Sequence, residues 1–185
     1  MSLMPAVGRL LVATPSLDDP NFRGTVILLC RVTEKEGAVG VILNRPTGLS
    51  VGKALPEVAD ERSEAIWIGG PVDPMAVFLI HRLPEYGVET EEVLSGLYMT
   101  ADCREIQKIL EEVPPDPEGE VLRVCVGYAG WSPGQLEEEM ESGSWRVLAA
   151  PVPAFFDKDP AELWREFLVR AILAPDTSNG LMRLN

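Results

Sequence analysis

Asp18 and Asp19 stand side by side in a loop that also holds Pro15, Ser16, Pro20 and Asn21. Two adjacent carboxylates can hold a divalent cation or act as an acid–base pair, the chemistry of a metal-dependent hydrolase. The same residue types build Asx turns, a reading that needs no ligand. His81 is the single histidine, which leaves metal binding to carboxylates. A Ser–His–Asp triad is arithmetically available with Ser16 or Ser132, but no G-x-S-x-G elbow accompanies it. Cys30, Cys103 and Cys125 have no C-x-x-C spacing. Cys30 and Cys125 lie in apolar runs and read as buried small hydrophobes. Cys103 falls in the first turn of an expected helix, where a thiol pKa can be lowered.

The stretch from Gly127 to Glu139 carries the densest local signals. A strand is expected to end there and a helix to begin. Ser132 is placed as N-cap, Pro133 as the first helical residue, and Gln135, three residues after Ser132, completes a capping box with it. Glu137, Glu138 and Glu139 then crowd the first turns, where the helix dipole favours acids. Backbone N–H groups at such a turn can hold an anion. Alternatively, the glycines serve a tight turn that lets Tyr128 and Trp131 pack. There is no Walker A pattern and no G-x-G-x-x-G between strand and helix. The expected cationic contributors are Arg45 and Arg23.

The elements that must position these residues follow from patterning. Arg9–Ala13, Thr25–Val32 and Ala38–Leu43 are apolar without alternation, as in strands buried on both faces. Lys35-Glu36-Gly37 is a hairpin turn. Ser50 caps a short helix to Leu55. Ala65–Ile68, Val77–His81, Val93–Met99, Val121–Tyr128 and Trp145–Ala150 are further strands. Asp102 starts a helix whose stripe is Ile106, Ile109, Leu110 and Val113. Asp159, Pro160 and Glu162 open a last helix with a stripe of Trp164, Phe167, Leu168, Ala171 and Ile172. Strands come first and helices are interleaved later, which predicts an α+β domain with a mixed sheet.

The bulk properties bound the answer. At 185 residues the chain is expected to form a single domain over 1–185, with 1–6 and 176–185 as loose termini. The formal charge of −13 argues against direct nucleic-acid binding and against docking on anionic lipid. No apolar run approaches the ~20 residues needed to span a bilayer. No secretory signal is visible at Met1–Ala6, so a reducing cytoplasm is expected.

Loops at strand ends are where functional residues gather in sheet proteins. On that ground the expected ligand groove combines Thr14, Ser16, Asp18, Asp19 and Asn21 of the first loop with Asn44 and Arg45. Gly69 and Gly70 join it, as do Gly127, Gly130, Trp131 and Ser132 of the densest turn. No cofactor and no metal site can be assigned from these residues.

Several motifs in order resemble a known family. They are Leu10–Phe22 running into Thr25–Cys30, then Gly40-Val41-Ile42-Leu43-Asn44-Arg45-Pro46, Gly69-Gly70-Pro71-Val72 and Gly127–Glu137. Together they resemble the AlgH (YqgE-type) family of bacterial proteins, from about Val7 to Leu173. One departure is Arg23-Gly24, where members more often carry a charged residue and then Arg or Lys. No role of a cation at position 24 therefore carries over. The resemblance implies an α+β domain with a branched mixed sheet, partly barrel-like, surrounded by helices. It implies no catalytic residues, although some members carry a transcriptional-regulator label linked to alginate production. The expectation is a non-enzymatic binding or regulatory module acting on a protein partner or an anionic small molecule. The alternatives are the hydrolase built on Asp18 and Asp19 and, weaker, a direct DNA-binding regulator.

Overall fold

The computed structural model describes residues 3–56, 61–89, 91–118, 120–149, 156 and 158–173. The tail expected to be loose, Asp176–Asn185, lies outside them. Ten strands form one sheet: β1 (Arg9–Ala13), β2 (Val26–Thr33), β3 (Gly37–Ile42), β4 (Pro46–Ser50), β5 (Ala65–Ile68), β6 (Val72–His81), β7 (Glu91–Leu94), β8 (Leu97–Thr100), β9 (Leu122–Trp131) and β10 (Trp145–Ala149). Among the described residues four α-helices pack on it: α1 (Val51–Ala54), α2 (Cys103–Glu112), α3 (Gln135–Glu141) and α4 (Pro160–Leu173). A 3-10 helix at Pro84–Glu89 completes the described elements. None of these helices is long and apolar enough to cross a membrane.

The unbroken apolar runs of β1 and β2 are explained by cover on both faces. Leu10, Val12, Val26, Leu28 and Cys30 point into one core. Leu11, Ala13, Ile27 and Leu29 point into another. Successive side chains of a strand alternate faces, so a strand with two dry faces shows no polar position. A third core lies under α2, where Ile106, Ile109 and Leu110 cover Ile66, Leu79, Leu122 and Val124. Asp102 caps α2 by accepting from the N–H groups of Arg104 and Glu105 at 3.0 and 2.9 Å.

The hydrogen-bonded path runs β10-β1-β2-β3-β9-β6-β8-β7. It branches at β9. Val124–Val126 pair with β6 on one edge and, in parallel, with β5 on the other. Ala129–Trp131 pair instead with β3. Gly127 sits between these two stretches with φ +68°, a left-handed bend that glycine adopts without steric cost. The parallel β5–β9 pair makes the sheet mixed, and β4 pairs only with β5.

The sheet curls without closing. The inner core joins Leu10 and Val12 of β1 to Val93 of β7 and Leu97 of β8. Arg31 of β2 reaches Glu91 of β7 at 3.2 Å. The two halves of the path thus meet through side chains rather than a ladder, which gives the partly barrel-like shape. Helix α4 packs on this core with Leu163 and Phe167. Of its expected stripe, Phe167 is buried and Ile172 is exposed.

Three expectations are corrected. Val93–Met99 is not one strand but parts of β7 and β8, turned at Ser95-Gly96 with Gly96 at φ +76°. Strand β9 does not end at Tyr128; it continues to Trp131 because its last residues change partner to β3. Helix α3 starts at Gln135, not Ser132. The Gln135 N–H donates to Ser132 O at 3.0 Å, across Pro133 and a left-handed Gly134 at φ +80°. Proline followed by a positive-φ glycine is the type II turn combination. Half of the capping box survives, since the Ser132 N–H donates to Gln135 Oε1 at 3.0 Å.

Candidate functional site

The first loop is held in place by the residues expected to share a groove with it. Arg45 donates to the carbonyls of Asn21 at 2.5 Å, Arg23 at 3.2 Å and Pro20 at 3.4 Å. Burial, and then the nearby Arg23 guanidinium, lower the Arg45 pKa, while Asp19 opposes them. Asn44 acts as an extra rung at the start of β2. Its Oδ1 accepts from Val26 N–H at 3.0 Å, and its Nδ2 donates to Gly24 O at 2.9 Å. Asp19 Oδ1 accepts from Asn21 N–H at 2.7 Å, an Asx turn. Asp18 is exposed. Among the described residues, no three His, Cys, Asp or Glu side chains converge as a metal ion would require.

The other end of the loop is tied to the turn before β10. Thr14 Oγ1 donates to Gly143 O at 2.7 Å and lies 2.7 Å from Ser16 Oγ, which itself donates to Gly143 O at 3.3 Å. Phe22 stacks on Trp131 with centroids 6.1 Å apart and meets Trp145 edge-on at 5.7 Å. Trp131 is therefore core, not an exposed ligand platform.

The glycines also serve packing. A Cβ on Gly69 would overlap Gly127 O, and one on Gly70 would overlap the Tyr128 carbonyl. Gly69 N–H donates to Val126 O, and Gly69 O accepts from Ile42 N–H, both at 2.8 Å. This is a close backbone crossing at the branch of β9. Gly130 has ordinary space around it, with Tyr128 Cε2 3.4 Å away. The structure thus brings Asn21, Asn44 and Arg45 together at one point. Thr14 and Ser16 meet at Gly143, Trp131 lies apart from them against Phe22 and Trp145, and Gly69, Gly70 and Gly127 meet at the branch of β9. The side chains of Thr14, Ser16, Asn44, Arg45 and Trp131 are hydrogen-bonded within the chain, whereas that of Asn21 is exposed.

Ser132 lines a cavity. That cleft, about 390 Å³, lies between Glu34 and Gly37 of the β2–β3 turn and Gly134 and Glu137. Two carboxylates at its rim make it a poor receptor for an anion.

His81 is not part of a triad. It is buried, and its Nδ1 accepts from Leu83 N–H at 3.3 Å while its ring stacks on Tyr98 at 5.6 Å. Burial pushes its pKa down to about 4, with Glu85 opposing. Arg62 and Glu64, not singled out from the sequence, form a buried ion pair at 2.5 Å. Arg62 also donates to Leu110 O and Val113 O at 2.9 and 2.7 Å, holding the end of α2. Burial raises the Cys30 thiol pKa strongly, and that of Cys125 to about 12. Both thiols are inert for that reason.

A cavity lined by β2, β3, β6, β7, β8 and β9, the mouth of the curled sheet, is a site that sequence reasoning missed. Val39, Phe78 and Tyr128 point from β3, β6 and β9 into a cavity of about 270 Å³. Met99, Thr100 and Ala101 close another side, and the Arg31–Glu91 pair forms the rim. Phe78 and Tyr128 meet edge to face at 5.9 Å. Arg31 and Glu91 are about half exposed, 52% and 58%. The mouth therefore offers apolar walls and both signs of charge. Mouths of β-barrels are a preferred place for small-molecule sites. No local spacing announces it, because its residues come from separate strands.

Comparison with known proteins agrees with this architecture. The family described as AlgH-like matches residues 10–175. A UPF0301 protein of Streptomyces coelicolor is 40% identical over 168 residues, covering 88% of this chain and 85% of the relative. A UPF0301 protein of Myxococcus xanthus is 36% identical over 160 residues, covering 84% of each. A crystal structure of a Corynebacterium diphtheriae protein is similar at TM-score 0.74 and 25% identity, covering 92% of this chain and 89% of that one. The solution structure of the AlgH protein from Pseudomonas aeruginosa is similar at TM-score 0.70 and 28% identity, covering 96% and 94%. The chain belongs to the AlgH-like family, for which no specific function or ligand is established.

Proposed function

We propose that this protein is a non-enzymatic binding module that takes a small molecule into the mouth of its curled sheet. The observation that carries the reading is the mouth itself. It is a cavity with an aromatic and aliphatic wall and an exposed Arg31–Glu91 rim. Thr14, Asn44 and Arg45 at the strand ends are, by contrast, bonded within the chain. A volume just below the ~300 Å³ of drug-sized sites suits a metabolite of modest size. A regulatory role would run through ligand occupancy of this mouth. The formal charge of −13 weighs against direct DNA recognition. A cytoplasmic setting fits the free thiols of Cys30, Cys103 and Cys125.

The test is a thermal-shift screen of nucleotides, phosphorylated metabolites, carboxylic acids, amines and amino acids, repeated on Val39→Trp, which fills the mouth. A saturating ligand at one hundred times its Kd stabilises the fold by about 2.7 kcal/mol. The expected result is a hit that Val39→Trp abolishes. Hits that ignore Val39→Trp, or none at all, would overturn the reading.

A further inference from the structure

We infer that the mouth recognises the zwitterionic head group of an α-amino acid with an apolar side chain. This rests on the reading of the mouth as a small-molecule site. The rim presents one guanidinium and one carboxylate, with Arg31 Nη2 and Glu91 Oε1 3.2 Å apart. An ammonium and a carboxylate on a single carbon are a dipole of similar span. Laid antiparallel against the pair, the ligand carboxylate meets Arg31 and its ammonium meets Glu91. Both contacts are charge-assisted hydrogen bonds. An ion pair this exposed holds itself together only weakly, so opening it to admit the head group costs little.

The rim also discriminates. A simple carboxylate meets Arg31 but is repelled by Glu91, and a simple amine meets Glu91 but is repelled by Arg31. Only a group carrying both charges satisfies both ends. Below the rim, Val39, Phe78, Met99 and Tyr128 form an apolar well for the side chain. Glycine would leave that well empty, and a charged side chain would be desolvated there without a partner. The class that remains is the leucine- or phenylalanine-like amino acid.

The experiment titrates the intact chain with L-leucine, L-phenylalanine, glycine, 4-methylpentanoate and isoamylamine at up to millimolar concentration. Thermal shift and 1H–15N NMR shifts are the readouts. Leucine and phenylalanine are expected to saturate, with NMR shifts at Arg31, Glu91, Met99 and Tyr128. The two analogues lacking one charge are expected to bind about tenfold or more weakly. Arg31→Gln should weaken leucine by a similar factor yet leave isoamylamine as strong or stronger. Glu91→Gln should weaken leucine but not 4-methylpentanoate. Both positions are exposed, so both variants keep the fold. Equal binding of leucine and a single-charge analogue, blocked by Val39→Trp, would overturn the zwitterion and leave the mouth reading standing. The same holds if no amino acid binds while another screened ligand does so in a Val39-dependent way. If no small molecule moves the Met99 and Tyr128 signals, both readings fall.

Discussion

Trp131 at the end of β9 and Trp145 at the start of β10 cross edge to face at 5.8 Å and share one acceptor. Their indole N–H groups donate to the same oxygen, Glu139 Oε2, at 2.9 and 2.8 Å. The other oxygen accepts from Gln135 Nε2 at 2.9 Å. The acidic run Glu137–Glu139 thus contains one member aimed inward. It fastens α3 to two strands, and Phe22 then docks the first loop on the paired rings.

Removing that acceptor leaves two buried donors unsatisfied. Each costs about 1–3 kcal/mol. Glu139→Ala is expected to lose about 3 kcal/mol of unfolding free energy, read by urea titration with tryptophan fluorescence. Glu139→Gln keeps one amide oxygen and should lose clearly less. Equal stability of Glu139→Ala and the parent would show that the shared oxygen does not hold the rings.

Arg45 makes a second prediction. It gathers three carbonyls of the first loop. A planar guanidinium can serve several acceptors that a single ammonium cannot. Arg45→Ala is expected to cost about 1–2 kcal/mol and to make the loop between Pro15 and Thr25 the first site of limited proteolysis. Arg45→Lys should recover only part of the loss. If the variant resists protease as the parent does, the clasp is not what orders the loop.

His81 gives a pH dependence. Its folded pKa, about 4, lies below the ordinary value of 6.5, chiefly because it is buried. Between those values the unfolded chain binds a proton that the folded chain refuses. His81 therefore contributes stability above pH ~6.5 that is lost as pH falls toward 4. Urea midpoints of the parent and His81→Phe should run together above pH 7 apart from a constant offset. In the window from 6.5 down to 4 the parent should fall more steeply. Parallel curves through that window would remove His81 as the cause.

Most strands and the two long helices were legible because burial writes itself into residue type, whereas the exposed β4 and the first, exposed half of β6 were not. Leu10 to Ala13 and Val26 to Leu29 announce a strand with two dry faces, and Asp102 and Asp159 announce helix starts. The role of Asn44 and Arg45 was not legible. A polar residue at a turn serves a ligand or its own chain equally well in sequence, and only the positions of Gly24, Val26 and Asn21 decide it. The capping-box pattern at Ser132 misplaced a helix start because Pro133-Gly134 suits a type II turn just as well. The mouth was invisible for another reason. Arg31, Val39, Phe78, Glu91 and Tyr128 become neighbours only through strand order, and that order turns on a branch in β9.

That branch makes the last prediction, because two glycines of one strand should behave oppositely. Gly127 combines φ +68° with a Cβ position that would overlap Gly70 O. Backbone atoms on both sides cannot yield as a flexible side chain would. Gly127→Ala is expected to lose about 3 kcal/mol or more, or to fail to fold. Gly130 lies three residues on, where a Cβ would find its nearest neighbour, Tyr128 Cε2, at 3.4 Å. Gly130→Ala should cost about 1 kcal/mol or less. Thermal melting of both variants decides the matter. Similar losses at the two positions would mean that Gly127 is kept for something other than the crossing of β9 over the Gly69-Gly70 turn. A tolerated Gly127→Ala would mean that the sheet can branch without a left-handed residue.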